Sequence, residues 1–108
     1  MMAGVSLDDA RRDGLNISRF PHAALARAHT TGSANGATYL VTDQVGTIVG
    51  LHAVGPLASE LAGHATLAIE MAATAEDLSS VVQPHPTISE SLSEVAWLAQ
   101  GMPLHVRR

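Results

Sequence analysis

Ala37-Thr38-Tyr39-Leu40-Val41-Thr42-Asp43-Gln44-Val45-Gly46-Thr47-Ile48-Val49-Gly50-Leu51-His52-Ala53-Val54 is the stretch that decides the fold. Ala37 to Asp43 carries Tyr39, Leu40 and Val41, residue types that suit a pleated, half-buried strand. Gln44-Val45-Gly46 has the composition of a hairpin turn. Thr47 to Val54 then alternates, with Val49, Leu51 and Ala53 on one face and Ile48, Gly50, His52 and Val54 on the other. A strand apolar on both faces belongs inside a sheet.

Upstream, Leu15 to Phe20 reads as extended chain ended by Pro21, and Thr30 to Gly36 as a loop. Between them, Ala23 to Ala28 is a weakly helical or irregular stretch. Ser6-Leu7-Asp8-Asp9 opens a short helix, with Ser6 as N-cap, acidic residues in the first turn, and Arg11 and Arg12 in the last turn before Gly14. Downstream, Gly55-Pro56 starts a helix over Leu57 to Met71. Glu60, Gly63, Thr66 and Glu70 form its polar stripe, so Leu57, Leu61, Leu67, Ala68 and Met71 are expected to pack on the sheet. Thr74-Ala75-Glu76-Asp77 caps another short helix, which ends near Val82 ahead of Pro84 and Pro86. Thr87-Ile88-Ser89-Glu90 opens the last helix, whose apolar face holds Ile88, Leu92, Val95, Ala96 and Ala99. The order of elements gives an α+β domain, an antiparallel sheet of about three to five strands covered by helices.

The chain has 108 residues, 46% of them hydrophobic and only 3% aromatic, which bounds it to a single domain, 1–108, with a thin aliphatic core. Such a layer often completes itself against a second copy or another domain. With no cysteine, thiol chemistry has to come from a partner, and thiolate metal sites are excluded. Six basic residues against ten acidic ones give a net charge of −4, which argues against nucleic acid as a ligand. No apolar run reaches the length of a membrane span and the start shows no secretory signal, so a cytoplasmic location is expected.

His85-Pro86-Thr87-Ile88-Ser89-Glu90 is the segment richest in chemical possibility. It places an imidazole just before a helix and a carboxylate one turn inside it. One reading is an acid–base pair, in which Glu90 accepts a proton from one ring nitrogen, fixes the tautomer and raises the basicity of the other. The other is a capping box, in which Glu90 bonds the backbone N–H of Thr87 and does no chemistry. Glu60 and His64, four apart on a helix, read as a surface pair rather than as metal ligands, and no metal site is expected. His22, His29, His52 and His105 are scattered and carry no assigned role. Neither Gly-x-Gly-x-x-Gly nor Gly-x-x-x-x-Gly-Lys-Ser/Thr occurs, so the chain has no phosphate cradle of its own.

A longer pattern adds to these readings. Gly46-Thr47-Ile48-Val49-Gly50-Leu51-His52-Ala53-Val54-Gly55-Pro56, then Ala58-x-Glu60-Leu61, Thr74-x-Glu76-Asp77-Leu78 and His85-Pro86-Thr87-Ile88-Ser89-Glu90, resembles the C-terminal dimerisation domain of the pyridine nucleotide–disulfide oxidoreductases, the dihydrolipoamide dehydrogenase branch in particular. The similarity runs from about Gly4 to Leu104, taken as the ordered core, with Arg27-Ala28 as a recurrent dipeptide and a first strand that looks truncated.

The resemblance implies a flavoprotein disulfide reductase dimerisation-domain fold whose last motif reaches a partner subunit's flavin site. It assigns proton transfer with a dithiol to His85 and orientation of that histidine to Glu90. Pro86 follows a cis bond, and His85 and Pro86 border the partner's flavin. A homodimer is implied, with Leu61, Leu67, Ile88, Leu92, Val95 and Trp97 at the interface. FAD and NAD belong to a full-length parent and not to this chain, which is expected to be inactive alone, as a fragment or as a separately encoded remnant that works with a separate FAD/NAD-binding portion. Tyr39 stands where the family often has lysine, and Gln83 where the dehydrogenase branch often has histidine. The competing expectation is a free-standing protein-interaction module in which His85 plays no catalytic part.

Overall fold

The computed structural model describes residues 1–25 and 35–101. Its strands are β1 (Met2–Gly4), β2 (Asn16–Pro21), β3 (Ala37–Thr42) and β4 (Ile48–Val54), and its helices are α1 (Leu7–Arg12), α2 (Ala62–Glu70), α3 (Ala75–Ser79) and α4 (Glu90–Ala99), with 3-10 turns at His22–Ala24 and Ala58–Leu61. The strands form one antiparallel sheet in the order β1-β4-β3-β2. The α+β class and the central position of the strand over Ile48–Val54 are as the sequence implies. Arg27-Ala28, His29, most of the Thr30–Gly36 loop, Leu104 and His105 lie outside the described residues.

The β3–β4 hairpin closes through Asp43. Its carboxylate accepts the N–H groups of Val45 at 3.0 Å and Thr47 at 2.9 Å. Gly46 turns the chain at φ 90°, in the left-handed region that suits glycine. Leu40 pairs with Leu51, but the register shifts between Val41 and Thr42, so that Thr42 faces Ile48 and β4 carries one extra residue. That bulge reverses the alternation and corrects the expected facing of Ile48. It joins Leu51 and Ala53 in the core rather than Gly50 and His52 on the other side.

Met2–Gly4 has no strand pattern in the sequence, yet it pairs with β4, Met2 opposite His52. The chain leaving this edge strand runs close over Gly50, where a Cβ would lie 2.5 Å from the Val5 carbonyl oxygen. Ala3 N–H donates to His52 Nδ1 at 3.3 Å, so Nε2 carries the proton and donates to the Val5 carbonyl at 2.6 Å. His52 is thus a structural tie between β1 and β4. The helix starts at Ser6 and Thr74 form as their sequences imply: Ser6 accepts from Asp9 N–H, and Thr74 and Asp77 make a reciprocal capping box.

The core lies between the sheet and the helices, with Phe20, Leu40, Leu51, Leu61, Leu92 and Val95 fully buried. Here three expectations change. The helix foreseen over Leu57–Met71 begins as a 3-10 turn and becomes α-helical only from Ala62. Its buried face is Leu61, Ala65 and Ala68, while Leu67 and Met71, expected on the sheet, are 62% and 72% exposed. Residues spaced i, i+4, i+7 share one helical face, and Leu67 stands about 100° away from Ala68. The third change concerns association. Leu61, Ile88, Leu92 and Val95, expected at a subunit interface, are spent in the chain's own core at 0–2% exposure and have no side-chain surface left for a second copy. Of that set only Leu67, exposed, and Trp97, half-buried, keep area to offer.

Candidate functional site

Pro84, His85 and Pro86 form an exposed corner ahead of α4, with the His85–Pro86 bond cis. His85 Nδ1 lies 2.8 Å from Glu90 Oε1, the His85 side chain being 68% exposed and that of Glu90 only 19%. The same carboxylate accepts the Thr87 N–H at 3.0 Å through its second oxygen, Oε2. The contacts that the capping and acid–base readings each ask of Glu90 are therefore both present, one on each oxygen. Thr87 supplies no return half of a box. Its hydroxyl donates instead to the Pro84 carbonyl at 2.7 Å, closing the corner that carries His85. This last contact has no sequence signature, because a Thr-x-x-Glu motif predicts the hydroxyl on a helix N–H.

This arrangement has a definite chemical capacity. A carboxylate can only accept, so a neutral His85 must hold its proton on Nδ1, and Nε2 is left with a lone pair. When Nε2 takes up a proton, the imidazolium formed is stabilised by a charge-assisted bond to Glu90. The fixed end of the pair is the half-buried carboxylate, and the working end is exposed. Beside it a groove of ≈ 390 Å³ is lined by Ser79, Val82, Gln83, Glu90, Glu94 and Trp97, among others.

The remaining candidates fall away from this corner. Glu60 and His64 are both exposed and make no ion pair with each other, and among the described residues no three His, Asp or Glu side chains are grouped as a metal site. No described helix is long and apolar enough to cross a membrane. His22 is 1% exposed, with Nε2 at 2.8 Å from Thr38 Oγ1, which in turn lies 2.9 Å from Ser91 Oγ. Burial, and then the nearby Arg19 charge, hold the His22 pKa below the usual histidine range, so its ring is neutral at neutral pH.

The helix-covered antiparallel sheet that carries this corner belongs to a known class of domain: residues 2–96 match the pyridine nucleotide-disulphide oxidoreductase dimerisation domain. Among curated relatives, it is similar to dihydrolipoyl dehydrogenase of Thermus scotoductus, at 42% identity over 96% of this chain and 24% of that protein. Dihydrolipoyl dehydrogenase of Halobacterium salinarum is 43% identical over 94% of this chain and 22% of its own length. Among solved structures, LpdA from Mycobacterium tuberculosis superimposes with a TM-score of 0.83 over 88% of this chain and 21% of that one, at 23% identity. The chain thus spans about a quarter of the length of the curated relatives it matches. It is a dimerisation domain of the pyridine nucleotide-disulphide oxidoreductases.

Proposed function

We propose that this chain is the dimerisation unit of an FAD- and NAD-dependent, dihydrolipoyl dehydrogenase-like enzyme of the cytoplasm, that it associates as a homodimer, and that His85 and Glu90 serve the partner subunit's dithiol site. One observation carries the reading: an exposed imidazole whose Nδ1 is held at 2.8 Å by a mostly buried carboxylate, on the corner that opens α4. The sequence has no cysteine, so the thiol is contributed by another segment or subunit. A thiol reacts as its thiolate and needs a base to receive the proton. His85 Nε2 accepts that proton, Nδ1–H stays on Glu90, and the reverse transfer returns the proton to the sulfur.

The sequence contains no Gly-x-Gly-x-x-Gly turn, and in this reading FAD and NAD are held by other domains of the parent enzyme. Exposed His85 and Pro86 are the residues of this chain that would border a flavin held there. When bound, that flavin supplies the two-electron relay between dithiol and nicotinamide. Leu67 on α2 and Met71 at its C-terminal cap are large, apolar and exposed, and a second copy would cover them. The unit alone is expected to show no turnover.

The test is a chimera in which this chain replaces the dimerisation domain of the Thermus scotoductus relative, compared with its His85→Gln variant. The chimera is expected to oxidise dihydrolipoamide with NAD+, and His85→Gln to lower turnover about 10²–10⁴-fold, the range for a lost acid–base group. An active chimera indifferent to the substitution would overturn the catalytic reading and leave a protein-interaction module.

A further inference from the structure

The function proposed for His85 depends on where α4 holds Glu90, and apolar packing alone does not fix that. Ile88, Leu92 and Val95 seat the helix on the core, but contacts of this kind are non-directional. Helical side chains end roughly 5–6 Å from the axis, so a roll of about 20° carries a carboxylate some ~2 Å sideways. That distance separates a 2.8 Å hydrogen bond from none. Ser89, the N-cap of α4, makes no side-chain cap bond that would oppose such a roll.

The residue after Glu90 does. Ser91, 0% exposed in the first turn of α4, bonds Thr38 of β3 at 2.9 Å, and Thr38, also 0% exposed, bonds His22 Nε2 at 2.8 Å. Three polar side chains from three separate parts of the fold meet here inside an apolar core. The bonds can run in either direction: Ser91 to Thr38 to a bare Nε2, or Nε2–H to Thr38 to Ser91. With the ring neutral, the anchor adds no buried charge.

We propose that Ser91, tied through Thr38 to His22, is a positioning residue that sets the roll of the first turn of α4 and thereby keeps Glu90 on His85. The inference rests on the proposed role of the His85–Glu90 pair, but it is tested on the 108-residue chain without any catalytic assay. The readout is the tautomer of neutral His85, followed through its ring ¹⁵N signals. In the unmodified chain the protonated nitrogen is expected to be Nδ1, the one facing Glu90. Ser91→Ala keeps a good helix former in α4 and leaves Thr38 bonded to His22. It is expected to release the carboxylate and shift the protonated signal toward Nε2, while the amide spectrum stays that of the folded domain. Thr38→Ser retains the hydroxyl and is expected to keep the original tautomer.

A folded Ser91→Ala chain that keeps His85 protonated on Nδ1 overturns the positioning role, as does a Thr38→Ser chain that loses it while folded. Neither outcome touches the acid–base reading, which stands or falls on His85→Gln in the chimera.

Discussion

Thr74-Ala75-Glu76-Asp77 and Thr87-Ile88-Ser89-Glu90 share one helix-entry signature and reach different ends. At the first, Thr74 Oγ1 accepts the Asp77 N–H at 3.1 Å and Asp77 Oδ2 accepts the Thr74 N–H at 3.0 Å, so each residue satisfies the other. At the second, Glu90 performs its half of the exchange and Thr87 does not, because the Thr87 hydroxyl is engaged on Pro84. Glutamate has one methylene more than aspartate, and its second oxygen reaches His85. A closed box stabilises a helix and nothing else. Opened on one side, the same motif becomes a device for aiming an imidazole.

The sharpest way to break this comparison is Glu90→Gln in the chimera. The amide oxygen can still accept the Thr87 N–H, but the charge that stabilises a protonated His85 is gone. A hydrogen bond to a charged group is worth about 1.5–3 kcal/mol, so turnover should fall roughly 10- to 150-fold with little change in the urea midpoint. Turnover within twofold of the unmodified chimera would reduce Glu90 to a cap. A smaller effect separates the two threonines. Thr74→Ala should cost about 1 kcal/mol of stability in urea titrations and leave turnover alone. Thr87→Ala should do the reverse, loosening the His85 corner and lowering turnover with less effect on stability. If both threonines behave alike, the distinction between the two motifs is empty. Smallest of all, Asp77→Asn keeps an acceptor for the Thr74 N–H and removes only a charge at a helix N-terminus, a change of about 0.3–1 kcal/mol that added salt should shrink further.

These contrasts also show where the sequence is explicit and where it is silent. The β3–β4 hairpin is legible because aromatic and β-branched residues flank a turn that Asp43 and Gly46 build locally. β1 is not, since three residues, Met2–Gly4, carry no period and gain their conformation from the partner strand. The side on which Ile48 falls depends on a bulge, and a one-residue shift reverses every side chain beyond it. Leu67 and Leu92 look equivalent on a helical wheel, yet one is exposed and the other buried, because the choice is made by what each helix packs against.

At the site, both members of the His85–Glu90 pair are visible as residue types at a suitable spacing. The division of labour between the two carboxylate oxygens is not, for it follows from the direction Thr87 takes. Least visible is the His22–Thr38–Ser91 anchor, whose members are 16 and 53 positions apart and individually unremarkable in a strand, a turn and a helix.

Trp97 stands in the wall of the groove that Glu90 and Glu94 share, and it is the chain's only tryptophan. Excited selectively, it turns that wall into an optical gauge of the unlabelled protein. No second indole elsewhere dilutes the signal, and indole emission responds to changes in nearby charge and hydration. A subunit docking over the groove, or a helix that rolls and withdraws its carboxylate, will register as a change in colour or intensity from one known place.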